Sequence, residues 1–371
     1  MLPLTPPIEP MLATAIDGIP RRDGLVFEPK WDGYRCIVFR DGASVELQSR
    51  SGKLLTRYFP EAVDMLLEAL PQRCVLDGEL VVTRGGRLSF DALNERVHPA
   101  ASRIELLSRE SPSSFIAFDL LAIDDTVLLE VPYRQRREAL EEVLDVGTHV
   151  HRTPITDDPD VAAQWFDLFE GAGLDGLIAK PVDAPYQPGR RAMFKIKHAR
   201  TADCVVAGFR WHKTGDVVGS LLLGLYDDHD VLHHVGVVGA FPAAQRAALV
   251  TELAPLREGA QDGHPWLPSA GSGAGSGADS GADSGLQRLP GAENRWRAGG
   301  LPWEPLRPER VVEVAYEHTE GGFPYRFRLN PRFVRWRPDR DPRSCRYDQL
   351  DEPARYDLDS VLRGEVRPAR V

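Results

Sequence analysis

At 371 residues the chain is long enough for two domains of ordinary size, each with its own core. Hydrophobic residues make up 42% and mean hydropathy is −0.30, which fits a soluble globular protein; no run has the apolar length of a membrane span, and "MLPLTPPIEP" lacks the basic-then-apolar order of a signal peptide. A net charge of −10 excludes a polycation drawn as a whole to nucleic acid, and the scattered Cys36, Cys74, Cys204 and Cys345, with no C-x-x-C, argue against structural zinc and for a reducing cytoplasm.

Residues 24–30 and 34–40 read as strands, and Asp41-Gly42 turns the second into "SVELQ". "FPEAVDMLLEALP" carries apolar residues at helical spacing and ends on proline. "CVLDGELVV" gives a strand-pair signal and "SFIAFDLLAI" a buried strand. "PYRQRREALEEVL" is an amphipathic helix with proline near its start, and Asp157 or Asp158 caps another through "VAAQWFDLF". "GLIAK" and "AMFKIK" are short strands. Antiparallel strands with helices outside them predict an α+β domain over residues 1–200.

After Ala199 the texture changes to short strands with Gly-rich turns ("DCVVAGF", "GSLLLGLYDD", "VLHHVGVV", "RVVEVAYE") and one helix, "AAQRAALVTELAPL". This pattern predicts a small β-barrel of OB-fold type over residues 201–346. A Gly/Ser-rich insertion at about 262–290 is too poor in apolar residues to order itself, and 347–371 reads as a loosely held tail. Eight arginines between Phe323 and Arg346 face only Asp339 and Asp341, with Phe323, Tyr325, Phe327, Phe333 and Trp336 interleaved. Such a block suits phosphate or bases. His233-His234 lack a third ligand at metal spacing and read as strand residues.

Lys30, in "FEPKWDGYRC", stands between two apolar strands, an unusual place for a lysine. K-x-D-G alone is a weak signal. Here it is followed in order by Arg35, "SRSGK", "DGE" (77–79), "FDLL", "DGLIAK", "FKIK" and "RWRPDR". With "PMLA", "SFDALNERVHPA" and "RFVRWRPDRDP", this series resembles the covalent nucleotidyltransferases, and among them the bacterial ATP-dependent DNA ligases of the short stand-alone LigC type. The resemblance spans residues 9–346 apart from the insertion. It implies a nucleotidyltransferase domain (ATP-grasp-like antiparallel sheets with helices) followed by an OB-fold domain.

A lysine that attacks the α-phosphate of ATP must be neutral, yet with an ordinary pKa only about one in a few thousand is neutral at pH 7. Burial and nearby cations favour the neutral form. Lys195 and Lys197, on one strand face by the period of two, supply such cations and can hold a triphosphate. The resemblance implies Lys30 as the nucleophile and Glu28 as the acceptor for the adenine amino group. It also implies Arg35 at the ribose, Arg50 at a phosphate, and Phe118 stacked on the purine. Glu79 is implied at ribose or metal and Asp175 as a metal ligand, where the family pattern has glutamate. Arg337 and Asp339 would orient the departing pyrophosphate, with Arg340 replacing the usual lysine. A hinge near His198–Ala202 would let that segment swing. Arg190, Arg191, Asn94 and Arg96 are lesser candidates for phosphate or DNA.

The function so implied is sealing of nicked double-stranded DNA with ATP as co-substrate and magnesium or manganese. The work would belong to repair, done by a monomer in the bacterial cytoplasm, at the nucleoid while acting, with repair partners the sequence does not name. An RNA ligase or GTP-using capping enzyme is the rival within the superfamily. A non-catalytic OB-type nucleic-acid binder is the rival outside it, and has no need of Lys30, Glu79, Lys195 and Lys197 together.

Overall fold

The computed structural model describes residues 1–144, 146–198, 200–267, 287–290, 301–350 and 354–365. In the first part of the chain the apolar runs bury residues on both faces, so each must be covered twice. They form two sheets. The larger runs Ser44–Ser49, Tyr34–Asp41, Arg73–Arg84, Ser113–Ile123 and Thr126–Val127, with Arg87–Leu88 and Val150–Arg152 added alongside. The smaller runs Leu12–Ala15, Arg191–Ile196, Leu177–Pro181 and Leu25–Pro29.

One face of the larger sheet packs Val38, Leu76 and Leu120 under the helices Pro60–Ala69, Phe90–Arg96 and Tyr133–Val143, which contribute Leu66, Leu93 and Leu140. Its other face meets the smaller sheet. There Ile37, Phe39 and Leu121 join Met11 and Met193, and Val81 and Ile116 join Phe27 and Leu177 over the helix Pro159–Phe169. That helix starts where the sequence places it: Asp158 accepts from the Asp160 N–H at 2.8 Å and Pro159 takes the first turn.

Three expectations for this region change. Two pairings are parallel, Leu12–Ala15 with Arg191–Ile196 and Ser113–Ile123 with Val150–Arg152. Both join strands far apart in the chain, which no hairpin constrains to run antiparallel. "CVLDGELVV" is one unbroken strand, not a pair: its Asp-Gly pairs on both sides, with Tyr34–Asp41 and Ser113–Ile123, and a Cβ on Gly78 would lie 2.3 Å from the Phe115 ring and 2.6 Å from the Ile116 carbonyl oxygen. Arg96 does not face solvent or DNA. It is fully buried, with two donors on the Glu61 carboxylate at 2.6 and 2.7 Å.

The second unit is a five-stranded antiparallel sheet in the order Leu232–Val238, Gly215–Tyr226, Arg200–His212, Glu304–Tyr316, Arg332–Trp336, packed on the helix Ala243–Arg257. Its core includes Val206, Leu221, Leu249, Val312 and Trp266. This is the OB-type arrangement the turn pattern predicts. The insertion is narrower than 262–290. His264 and Trp266 are buried, and Gln287 donates to the Leu232 and Pro265 carbonyls, both at 2.8 Å; residues 268–286 lie outside the described residues.

The described part of the tail is packed. Leu350 is buried in the second core, while residues 354–365 belong to the first unit, which otherwise runs Met1–His198. The helix Leu358–Leu362 puts Leu358 and Val361 into the cluster with Trp165 and Phe169. No helix of the described residues is long and apolar enough to cross a membrane.

Gly78→Ala forces a methyl group against backbone as well as a ring, so it should cost roughly 2 kcal/mol or more of stability in denaturant melts. Gly147→Ala, where a Cβ meets nothing within 4 Å, is the control and should stay near wild type.

Candidate active site

Leu25–Pro29 pairs antiparallel with Leu177–Pro181, with Glu28 opposite Ile178 and Val26 opposite Lys180. Glu28 and Lys180 are thus diagonal neighbours on one face. Both are buried, and Lys180 Nζ lies 2.9 Å from Glu28 Oε1. Lys180 also donates to the Phe118 carbonyl at 3.1 Å and sits 4.8 Å from the Phe118 ring centre.

Lys30 follows the end of its strand and is fixed by its backbone: its N–H donates to the Gly176 carbonyl at 2.9 Å, and the Asp175 N–H donates to the Lys30 carbonyl at 3.0 Å. Its ammonium is paired with Asp175 Oδ2, and Lys197 Nζ reaches the same oxygen at 2.9 Å. The next turn is pinned by Trp31, whose indole N–H donates to Thr153 Oγ1 at 2.9 Å. Gly33 then passes so close to Arg73–Arg84 that a Cβ would lie 2.1 Å from the Leu80 carbonyl oxygen. No residue but glycine fits there. That closeness lets the Gly33 N–H donate to Glu79 Oε1 at 3.2 Å.

On the larger sheet Arg35 stands opposite Glu79. Its Nε donates to Asp77 Oδ1 at 2.6 Å, and its guanidinium lies 4.6 Å from the Phe118 ring centre. The fully buried Asp77 also accepts from the Tyr186 hydroxyl at 2.6 Å, so Arg35 is held from behind.

These side chains meet in one cavity of about 260 Å³ between the two sheets. Glu28, Lys30 and Lys195 line it from the smaller sheet, Arg35, Glu79 and Phe118 from the larger, and the exposed Arg50 from the loop after Ser44–Ser49. Lys197 is not among the lining residues; it is engaged by Asp175. Arg191, a lesser candidate, does line the cavity. Lys180, Asp77 and Trp31 escaped the sequence reading. Lys180 carries no sequence signal of its own, because its two-residue offset from the neighbour of Glu28 exists only in the strand pairing.

Burial pushes the Glu28 carboxyl above its ordinary range, against the pull of Lys180. Its Oε2 is buried without a hydrogen-bond partner. A buried acceptor left unmade is costly, so the site is built for a donor that arrives with a ligand. Burial likewise raises the Glu79 carboxyl to about 7, opposed by Arg35 and Lys30.

Among the described residues no three His, Cys, Asp or Glu side chains stand together as a metal cage. Magnesium bound with a nucleotide needs only one or two carboxylates, the rest being phosphate oxygens and water. Glu79 fits that donor set. Asp175, between Lys30 and Lys197, would have to give up an ammonium to touch metal directly.

Arg337 and Asp339 belong to the second unit, in the turn after Arg332–Trp336. Arg337 NH2 donates to Asp339 at 2.9 Å and NH1 to both Asp203 oxygens at 3.1 and 3.0 Å; Arg340 lies 3.3 Å from Asp203. The hydrogen bond from Arg337 holds the Asp339 carboxyl down to about 2. Arg326 pairs with Glu320, Arg335 with Glu313 and Arg346 with Asp230. With Arg337 and Arg340, at least five of the eight clustered arginines therefore have acidic partners drawn from other segments, which the local sequence conceals. Phe323 is 59% exposed, whereas Phe327 is buried in the core.

Comparison with known proteins matches the ATP dependent DNA ligase domain at residues 10–197 and the ATP dependent DNA ligase C terminal region at 214–340. The chain is 54% identical to DNA ligase C2 of Mycolicibacterium smegmatis, over 95% of this chain and 96% of that one. It is 50% identical to DNA ligase C of Mycobacterium tuberculosis, over 98% and 99%. A solved Lig E DNA ligase shares the fold at 16% identity, TM-score 0.53, covering 89% of this chain and 99% of that one. The chain belongs to the bacterial ATP-dependent DNA ligases of the LigC type.

Proposed function

We propose that the protein seals nicks in duplex DNA through an AMP carried on Lys30. The observation that carries this reading is the placement of Lys30 in a cavity that also holds Phe118 and the unpartnered acceptor of Glu28. In the first step Lys30 Nζ forms a bond to the α-phosphorus of ATP, the bond from that phosphorus to the bridging oxygen breaks, and pyrophosphate leaves. Lys30 must first lose a proton, and Asp175, already in contact with Nζ, is placed to take it. In the second step an oxygen of the 5′-phosphate at the nick attacks the AMP phosphorus and frees Lys30. In the third the 3′-hydroxyl attacks that 5′-phosphate and AMP departs.

Glu28 accepts the adenine amino group, Phe118 stacks on the ring, and Arg35 faces the sugar. Arg50, Lys195 and Lys197 neutralise phosphate oxygens as charge moves among them. Glu79 would hold magnesium together with the phosphates, with Asp175 as a further candidate; the ion would supply charge neutralisation at the transferring phosphorus. Arg337 and Asp339 orient the pyrophosphate, which requires the second unit to bring them to the nucleotide during the first step. Arg332 and Arg343 of the basic block are candidates for DNA backbone contact, which carries no sequence information. A relative named as a multifunctional non-homologous end joining DNA repair protein of Mycobacterium tuberculosis, 36% identical over 256 residues, supports a repair setting.

Incubation with α-labelled ATP and magnesium should leave an acid-labile label on the denatured protein. Lys30→Ala should abolish it, and a label that persists in that variant removes the mechanism.

Glu79 gives a pH test. Its carboxyl ionises at about 7 in the fold against 4.5 as a free side chain, so folding binds a proton between those values and stability falls as pH rises through them. Glu79→Gln should therefore melt a few degrees above wild type at about pH 8 and show little difference near its free value of 4.5. Adenylylation by the same variant should fall at every pH.

A further inference from the structure

We propose that Lys180 determines purine selectivity: by holding Glu28 as a carboxylate through Oε1, it leaves Oε2 as an acceptor that only a purine with an amine at C6 can satisfy. The inference rests on the reading that the base of the nucleotide meets Glu28. A carboxylate accepts at both oxygens, whereas a protonated carboxyl donates from one of them. Adenine offers an amine at C6 and guanine a carbonyl, so the charge state of Glu28 decides which base is paired and which is left with an unmade bond.

The surroundings leave that decision to Lys180. The charged groups nearest Glu28 are Lys180, Arg137 and Asp119, with the Tyr133 hydroxyl beside them. Arg137 is committed elsewhere, its Nε to Glu141 at 2.6 Å and its NH1 to the Thr153 carbonyl at 2.9 Å. Asp119 is held by Arg136 at 2.7 and 3.0 Å and adds only negative charge. Among the described residues Lys180 alone is ion-paired with Glu28, its Nζ 2.9 Å from Oε1, and the other oxygen stays buried and unmet. The same ammonium donates to the Phe118 carbonyl, so one cation fixes both the acceptor and the ring proposed to stack on the base. Remove it, and a buried carboxylate without a counter-charge takes up a proton instead. Glu28 then becomes a donor.

The test compares enzyme–nucleotide adduct formation with ATP, GTP and purine riboside triphosphate, which has neither amine nor carbonyl at C6. Wild type should prefer ATP over purine riboside triphosphate, and both over GTP. Lys180→Met should lose the ATP advantage over purine riboside triphosphate by roughly tenfold or more and narrow the gap to GTP. Lys180→Gln, which keeps a donor without the charge and guards against misfolding of the Met variant, should shift the same way. Lys180→Arg should restore the preference. Equal losses with all three nucleotides would mean a structural lysine and overturn the proposal, as would an unchanged ratio. A wild type that does not separate ATP from purine riboside triphosphate would instead remove the underlying placement of the base on Glu28.

Discussion

The pairing of Leu25–Pro29 with Leu177–Pro181 is the contact on which the first unit's chemistry depends. It brings together segments about 150 residues apart and sets two acids against two lysines within a few residues of strand: Glu28 with Lys180, and Asp175 with Lys30. Neither member of either pair could sit at this depth alone, because an isolated charge taken from water costs far more than a strand pairing returns. The register therefore does two jobs. It closes the smaller sheet, and it makes buried charge tolerable where a nucleotide must be held.

The larger sheet contributes by closeness. Gly33 lets the backbone beyond Lys30 lie against the strand that carries Glu79, so the carboxylate is bound by a backbone N–H and raised by burial at once. Arg35, backed by Asp77 and Tyr186, is fixed at the cavity wall. Fixed donors and acceptors need not reorganise as charge shifts during phosphoryl transfer, which is where such sites gain most. In the second unit the arginines follow the opposite rule. Most meet acids inside their own unit, so their charge is already partly answered.

Much of this was legible in the sequence because the relevant signals are local. The strand–Lys30–turn–strand order, the Asp158 cap and the alternating runs each depend on neighbours within a few residues. The misreadings share the opposite property. Asp77-Gly78 has turn chemistry, and only pairing with Tyr34–Asp41 and Ser113–Ile123, both distant along the chain, makes it a straight strand. Arg96 looks like a surface arginine until Glu61 is folded over it. Lys180 was passed over because a lysine closing a strand has no local mark of burial; its role appears only once Glu28 is its diagonal neighbour. Arginine clusters mislead in the same way, since their acids lie elsewhere in the chain.

The return of the chain after the second unit bears on where the protein can be cut. The texture change near Ala199 invites a catalytic fragment ending at His198. Such a fragment would lack the helix Leu358–Leu362, and with it the apolar cover that Leu358 and Val361 place over Trp165 and Phe169. In topological terms the OB-type unit is an insertion within the nucleotidyltransferase unit, entered once and left once. A faithful minimal version of the first unit would join the two flanking pieces with a short linker.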